Sequence, residues 1–296
     1  MTERLGIGSS VPDMSDLIPS VWLDGALVAV EDARISPFDH GLLVGDGVFE
    51  TLRVYGGVPF AWHRHYERLV HSATGLGLHA PDSATLRSAS DAVLTANGVA
   101  EARLRITVTG GPSPLGSERG NARPTVVVAA SEARSWAPSE RVVTVPWPRN
   151  ERGATAGLKT ISYAENVRAL AYAHDHDATE AIFLNTRGEL CEATGSNVFT
   201  VADGVVRTPP GDSGCLLGVT RALVIELCGE LGIPADEPAL PAEAVATADE
   251  AFLTSSTREV QAISGVDGVT LPAAPGPVSR RLAAAFTDLV ARDSDP

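Results

Sequence analysis

Along this chain the spacing of apolar residues switches between two periods. VWLDGALVAV (Val21–Val30) sets short apolar runs on either side of Asp24-Gly25, a strand–turn–strand signature. GDGVFETLRVYGGVPF (Gly45–Phe60) repeats it around Gly56-Gly57, and its Phe49, Thr51 and Arg53 share one face of a strand. WHRHYERLVHSATGLG (Trp62–Gly77) changes to the helical period, with Tyr66, Leu69, Val70 and Ala73 along one side. A second helix is expected over Ser83–Asn97, stopped near Gly98. Three more strands are expected near Arg103–Thr109, Thr125–Ala130 and Arg141–Val145.

PWPRNERGATAG (Pro146–Gly157), rich in Pro, Gly and charge, reads as a linker. Beyond it a helix is expected over about Ala164–His174. EAIFLN, GELCEA and SNVFTV read as consecutive strands with turns at Thr186-Arg187-Gly188 and Thr194-Gly195. VTRALVIELCGELG (Val219–Gly232) is a periodic helix, DEAFLTSSTREVQAI holds two strands around a Ser/Thr turn, and VSRRLAAAFTDLVARD closes the chain as a helix. The organisation expected is therefore a loose arm over 1–16, a small α+β domain over 17–145, a linker over 146–157 and a second domain over 158–296.

Composition narrows the function classes. The 296 residues carry a net charge of −14, which argues against general binding to nucleic acid or acidic lipid. No apolar run reaches membrane-spanning length, and MTERLGIGSSVPDMSD has no apolar signal core. Three cysteines without metal-ligand spacing fit free thiols in a reducing compartment. A cytoplasmic protein with no metal site is expected.

The arrangement of positive charge is the informative feature. Of the 23 Lys+Arg residues only Lys159, in GLKTISYAENVRAL, is lysine. Arginine replaces lysine as a charge, but only a neutral lysine amine attacks a carbonyl to make a Schiff base. Chance retention in an arginine-biased sequence is the alternative. A lysine that holds pyridoxal 5′-phosphate needs partners: N–H groups, hydroxyls and an arginine for the phosphate, and an acid for the ring nitrogen. GVTRAL (Gly218–Leu223) offers an anion site at a helix N-terminus, or ordinary capping by Thr220. TSSTRE (Thr254–Glu259) offers a hydroxyl-rich turn, or a common loop. Glu192 in LCEATGSNVF is paired with a cation or faces outward. Arg68 in HRHYERL is a phosphate arginine or a solvated one.

The order of these pieces is more specific than any of them. Arginine helix, lysine, E-x-x-x-S-N-x-F, G-V-T-R and S-S-T-R-E, from about Trp22 to Ile263, resembles the fold-type IV pyridoxal-phosphate enzymes, the class IV aminotransferase family. That family includes branched-chain, D-amino-acid and (R)-amine aminotransferases and aminodeoxychorismate lyases. The resemblance implies a D-amino-acid aminotransferase-like fold, with a small α+β N-terminal domain and a larger barrel-like C-terminal domain, in a homodimer. It implies Lys159 as the Schiff-base lysine and proton shuttle, and Glu192 as partner of the pyridine nitrogen. It implies Arg68, Val219, Thr220, Ser256 and Thr257 around the phosphate, with Ser196 close by. Tyr163 matches a tyrosine that reaches the ring hydroxyl in branched-chain enzymes; a core tyrosine is the other reading.

The reaction is set by the pocket. By resemblance its wall includes Phe49, Thr51 and Arg53. Thr51 matches a threonine of aminodeoxychorismate lyases. TVTGGPSPLGSERG (Thr107–Gly120) corresponds to a loop over the pocket, where D-amino-acid enzymes place an arginine and a histidine; Leu115 and Ser117 stand there here. The expectation is transamination between a small chiral amine or amino acid and a 2-oxo acid. Release of pyruvate and p-aminobenzoate by a lyase is the alternative, and a non-catalytic protein that binds pyridoxal phosphate or another phospholigand is the second.

Overall fold

Asp24 and Gly25 both adopt positive φ, at 48° and 106°, and turn the chain tightly between β1 (Ser20–Leu23) and β2 (Ala26–Ala29). The computed structural model describes residues 19–296; the expected arm over 1–16 lies outside the described residues. After the short α1 (His40–Val44), β3 (Gly47–Tyr55) and β4 (Val58–Pro59) form the second hairpin. Then come α2 (Trp62–Gly75), α3 (Ser83–Asn97), β5 (Ala102–Thr109) and β6 (Val126–Glu132). The six strands make one sheet in the order β2-β1-β6-β5-β3-β4, every pairing antiparallel.

Both helices cover one face of that sheet. Val48, Leu52 and Val54 of β3 meet Leu69 and Ala73 of α2 and Leu86 and Val93 of α3 in a single core. Asp82 caps α3 by accepting the N–H of Thr85 at 2.9 Å, and Gly98 ends it in the left-handed region. In α2 the buried side is Trp62, His65, Leu69, Ser72 and Ala73; Val70, expected on it, is exposed because one residue of helix turns it about 100° away from Leu69.

The remaining strands are β7 (Ser139–Thr144), β8 (Glu180–Leu184), β9 (Leu190–Ala193), β10 (Asn197–Ala202), β11 (Val205–Arg207), β12 (Ala235–Asp236), β13 (Glu250–Ser255), β14 (Glu259–Val266) and β15 (Val269–Thr270). They form a second sheet in the order β12-β11-β10-β13-β14-β7-β8-β9, with β15 on β14. The run from β10 to β9 curls round on itself: three residues, Thr194–Ser196, join its two end strands, and Ala193 N–H donates to the Ser196 carbonyl at 2.8 Å. This is the barrel-like domain the resemblance implies. Its middle strands are buried on both sides. Leu253 and Ile263 face one core with Val198, while Phe252 stacks on Phe199 at 4.9 Å in another, under α5 (Val219–Leu231) and α6 (Pro277–Arg292). The remaining helix, α4 (Ala164–Asp175), follows the lysine segment.

One strand sits apart from its expected grouping. β7 pairs in parallel with β14 and β8, so the chain passes from the first sheet to the second between β6 and β7, ahead of Pro146–Gly157. The apolar pattern of β7 shows a strand; nothing in it specifies which sheet pairs with it. No helix among the described residues is long and apolar enough to cross a membrane.

Candidate active site

Between the two sheets lies a cavity of about 680 Å³. Lys159 enters it from an irregular segment that is nonetheless fixed at several points. Phe49 N–H donates to the Lys159 carbonyl at 3.0 Å, Ile161 N–H to Gly47 at 2.9 Å, and Lys159 N–H to Ser72 Oγ at 3.1 Å. The segment thus runs as a short extra edge along the start of β3, bridged at Val48 and Thr160. Its Nζ lies 4.4 Å from the centroid of the Phe49 ring. Burial, and then the charge of Arg68, bring the Lys159 amine down to about 8. An amine in that range is partly neutral near physiological pH, the state a carbonyl electrophile requires.

Glu192, on β9, faces the same cavity. It accepts the Leu216 N–H at 3.0 Å and lies 3.5 Å from Arg149 Nε. Burial pushes its carboxyl up, against the pull of Arg149. Arg149 also reaches Glu165 at 2.6 Å and lies over the Phe183 ring, so the expected linker supplies a member of the site. The Tyr163 ring meets Phe49 edge to face at 5.1 Å, and burial pushes its phenol up to about 12.

Opposite these groups is a cluster of hydrogen-bond donors. Gly218 caps α5 with no side-chain acceptor, leaving the N–H groups at Val219 and Thr220 uncapped by any side chain. A Cβ at Gly218 would collide with Asn197 Oδ1, while Asn197 Nδ2 donates to Leu216 O at 2.7 Å; the position has room only for glycine. Ser256 and Thr257 form the turn between β13 and β14. Arg68 arrives from α2, its guanidinium bidentate on Glu50 with both distances at 2.8 Å, and it donates to Leu217 O at 3.2 Å. His65 Nδ1 meets the same carboxylate at 2.7 Å and its Nε2 lies 3.4 Å from Ser256 Oγ. Burial acts to raise the Glu50 carboxyl, but Arg68 and His65 outweigh it and hold it far below the carboxylate range.

All the residues assigned to the cofactor, namely Arg68, Lys159, Tyr163, Glu192, Ser196, Val219, Thr220, Ser256 and Thr257, line this one cavity. The wall residues divide. Phe49 and Thr51 line it, whereas Arg53 turns to Glu101 at 2.8 Å and Leu115 is 72% exposed, and neither reaches it. Arg105 does, with its guanidinium carbon 3.7 Å from the Phe49 centroid, and Arg103 stands two residues before it. Glu50, His65, Arg105 and Arg149 are the site's members that sequence reasoning passed over. Glu50 carried a signal: it sits in register with Val48, Leu52 and Val54, a carboxylate on the buried face of its strand.

The set fits pyridoxal phosphate. Ser196 Oγ and Thr254 Oγ1 are buried in the cavity wall without a hydrogen-bond partner, and a buried hydroxyl without one is costly. With the uncapped end of α5, they offer donors for a phosphate or ring oxygen. The same cavity holds a part-neutral lysine and a buried carboxyl group, side chains of the kinds that an aldehyde and a protonated ring nitrogen call for.

The family model described as Amino-transferase class IV matches residues 47–266. A putative branched-chain-amino-acid aminotransferase of Methanocaldococcus jannaschii is 35% identical over 277 residues, covering 91% of this chain and 96% of that one. A D-alanine aminotransferase of Bacillus licheniformis is 30% identical over 274 residues, 91% and 96% of the two chains. The solved branched-chain aminotransferase of Thermoproteus uzoniensis, with norvaline, superposes with a TM-score of 0.86 at 31% identity, covering 92% of this chain and 94% of that one. Another solved branched-chain aminotransferase, with pyridoxamine 5′-phosphate, superposes with a TM-score of 0.87 at 29% identity over the same shares.

Proposed function

The chain belongs to the class IV aminotransferases, a pyridoxal-phosphate-dependent family, and within it we propose that the protein is a transaminase that exchanges an amino group between a small chiral amino acid or amine and a 2-oxo acid, with Lys159 joining the cofactor as a Schiff base. The observation that carries this is the chain's only lysine, in the cavity, with an amine brought down to about 8. That relatives are named for branched-chain amino acids and for D-alanine supports an amino acid as donor.

Pyridoxal phosphate, when bound, supplies the electron sink that makes the substrate Cα–H acidic. The chain's own groups do the rest. Lys159 Nζ takes the proton from Cα and returns one. Glu192, braced by Arg149 and the Leu216 N–H, would hold the proton on the ring nitrogen. Arg68, the α5 N-terminus and the Ser256–Thr257 turn hold the phosphate. Ser196 and Tyr163 would stand beside the ring, and Phe49 lies against both the Arg105 guanidinium and Lys159 Nζ.

A lyase reading has one observation in its favour: Thr51 lies in the cavity wall. A visible absorption spectrum of the purified protein separates these readings. A yellow band that D-alanine, L-leucine or (R)-1-phenylethylamine bleaches to the near ultraviolet supports transamination and names the donor class. A band that persists while aminodeoxychorismate yields pyruvate supports the lyase. Lys159→Ala is expected to lose both band and turnover, and Lys159→Arg to do the same despite keeping its charge. Activity retained in either variant ends the proposal.

A further inference from the structure

Two turns that border the cavity are tied together from behind by a buried ion pair. Glu180 opens β8 and Arg258 follows Ser256-Thr257; both are buried, their side chains 4% and 6% exposed. Glu180 Oε2 accepts Arg258 Nη2 at 2.7 Å. Its other oxygen accepts the Thr194 hydroxyl and, at 2.9 Å, the Gly195 N–H. Ala193, Thr194 and Gly195 lead from Glu192 to Ser196. One carboxylate therefore holds the turn after Glu192 on one side and the Ser256–Thr257 turn on the other.

Arg258 extends the tie. It donates to Gln261, and its guanidinium carbon lies 3.7 Å from the Trp136 ring centroid. Gln261 Nε2 donates in turn to Ala137 O at 2.7 Å. Trp136 and Ala137 lie in the passage between the two sheets. The next residue, Glu259, is a non-glycine at φ 57°, and its carboxylate accepts Tyr55 O–H from the end of β3 at 2.7 Å. A strained position beside a functional turn persists only where the surroundings over-determine it, and here Glu180 and Tyr55 pull the turn from two sides.

We propose that Glu180 and Arg258 are a positioning pair that fixes the separation of the Thr194–Ser196 and Ser256–Thr257 turns, and with it the fit of the cofactor's phosphate and ring between them. This rests on the cofactor residues of the proposed function. Neither side chain lines the cavity; they act through the turns. A mispositioned shell is felt at the site because binding groups must be held to fractions of an ångström.

The test is cofactor retention by the holoenzyme, read from the visible band after dialysis and from the pyridoxal phosphate concentration that half-restores it. Glu180→Gln keeps an oxygen for Thr194 and Gly195 but turns an amide N–H₂ toward Arg258. Arg258→Met removes the partner and leaves the carboxylate buried. The double variant E180Q/R258M leaves no unpaired buried charge, so it is the one expected to fold like wild type. The expected result is half-restoring concentrations raised about ten- to a hundredfold in the double variant, with its far-ultraviolet circular dichroism unchanged. The loss in kcat at saturating cofactor should be smaller than the loss in affinity. Wild-type retention in a folded double variant overturns the pair's role. In that case Lys159→Ala still reports separately on the site, since a band lost there and kept in E180Q/R258M leaves the lysine assignment standing.

Discussion

The two ends of the cavity are built differently. At the end proposed for the phosphate the charged groups are already held by partners within the chain: Arg68 on Glu50, Glu50 on His65, His65 beside Ser256, and Gly218 with no space for a side chain. At the other end, Arg105 donates only to Thr107 Oγ1 and lies over Phe49, and no carboxylate of the described residues pairs with it. One end is preorganised before anything binds; the other keeps a guanidinium available. The difference teaches where the family's shared chemistry ends and this chain's own selectivity begins. A cofactor that never changes rewards a finished site, whereas a substrate must be told from its neighbours by groups it satisfies on arrival.

The largest way to break that contrast is to unfinish the finished end. Glu50→Gln leaves Arg68 buried without its counter-charge, and removing one partner of a buried pair costs about 3–5 kcal/mol. Thermal unfolding of the cofactor-free protein is expected at markedly lower temperature, with weaker cofactor retention. The pH dependence follows from the same pair. Glu50 is held below its ordinary value of 4.5, so its contribution is complete above that pH and drains away only in strongly acidic solution. An unchanged melting temperature would mean that Arg68 finds another partner.

Next in size is the lysine, which stands between the two ends. With its amine at about 8, the neutral fraction rises about tenfold per pH unit below that value and levels above it. The rate of cofactor capture by the apoprotein, followed by stopped-flow absorbance, should rise in the same way and flatten near pH 8. A lysine whose folded value lies below its unfolded one releases its proton on folding. The apoprotein therefore gains stability as pH rises from about 8 toward the ordinary 10.5. A capture rate still climbing at pH 10 would return Lys159 to ordinary behaviour.

The open end gives a smaller effect. Arg105→Leu is expected to raise the KM for an amino acid by about tenfold, the worth of one charge-assisted hydrogen bond. It should leave the KM for (R)-1-phenylethylamine, which has no carboxylate, near its wild-type value. Equal effects on both substrates would assign Arg105 to holding Phe49 rather than to binding an anion.

This asymmetry also explains what could be read in the sequence. Strands, helices and caps follow local rules: α3 begins and ends at the residues its Asp82 and Gly98 dictate. The gathering of the proposed cofactor residues in one cavity was legible because a lysine, a glutamate, a glycine at a helix start and a hydroxyl turn are each local signatures, and their order did the rest. The partners behind them were not. Glu50 to Arg68, His65 to Ser256 and Glu180 to Arg258 are pairings across distant segments, fixed only when helix, strand and turn pack together. The placement of β7 was hidden for the same reason, since its pairing partners β14 and β8 lie far away in sequence. Arg105 was passed over because a charged residue alternating along a strand reads as solvent-facing until a second sheet faces it.

The smallest expected effect belongs to Leu115, which the resemblance assigned to the substrate pocket. It stands in a loop whose anchoring falls elsewhere, on Arg119, which donates to Asp46 at 2.7 Å and to the Gly77 carbonyl at 2.9 Å. Leu115 itself is 72% exposed and stands away from the cavity. In a single copy of the chain a substitution there acts as a surface change, within about 0.5 kcal/mol. Leu115→Ser is therefore expected to leave the melting temperature unchanged and kcat/KM within about twofold, the same free energy expressed as a rate. The dimer implied by the family resemblance makes the opposite outcome equally informative. If kcat/KM falls more than tenfold while the cofactor band is untouched, Leu115 reaches the open end of a site on a second copy of the chain. Running the assay across protein concentration separates the two cases, since a wall residue lent by a second copy contributes only while the copies are associated.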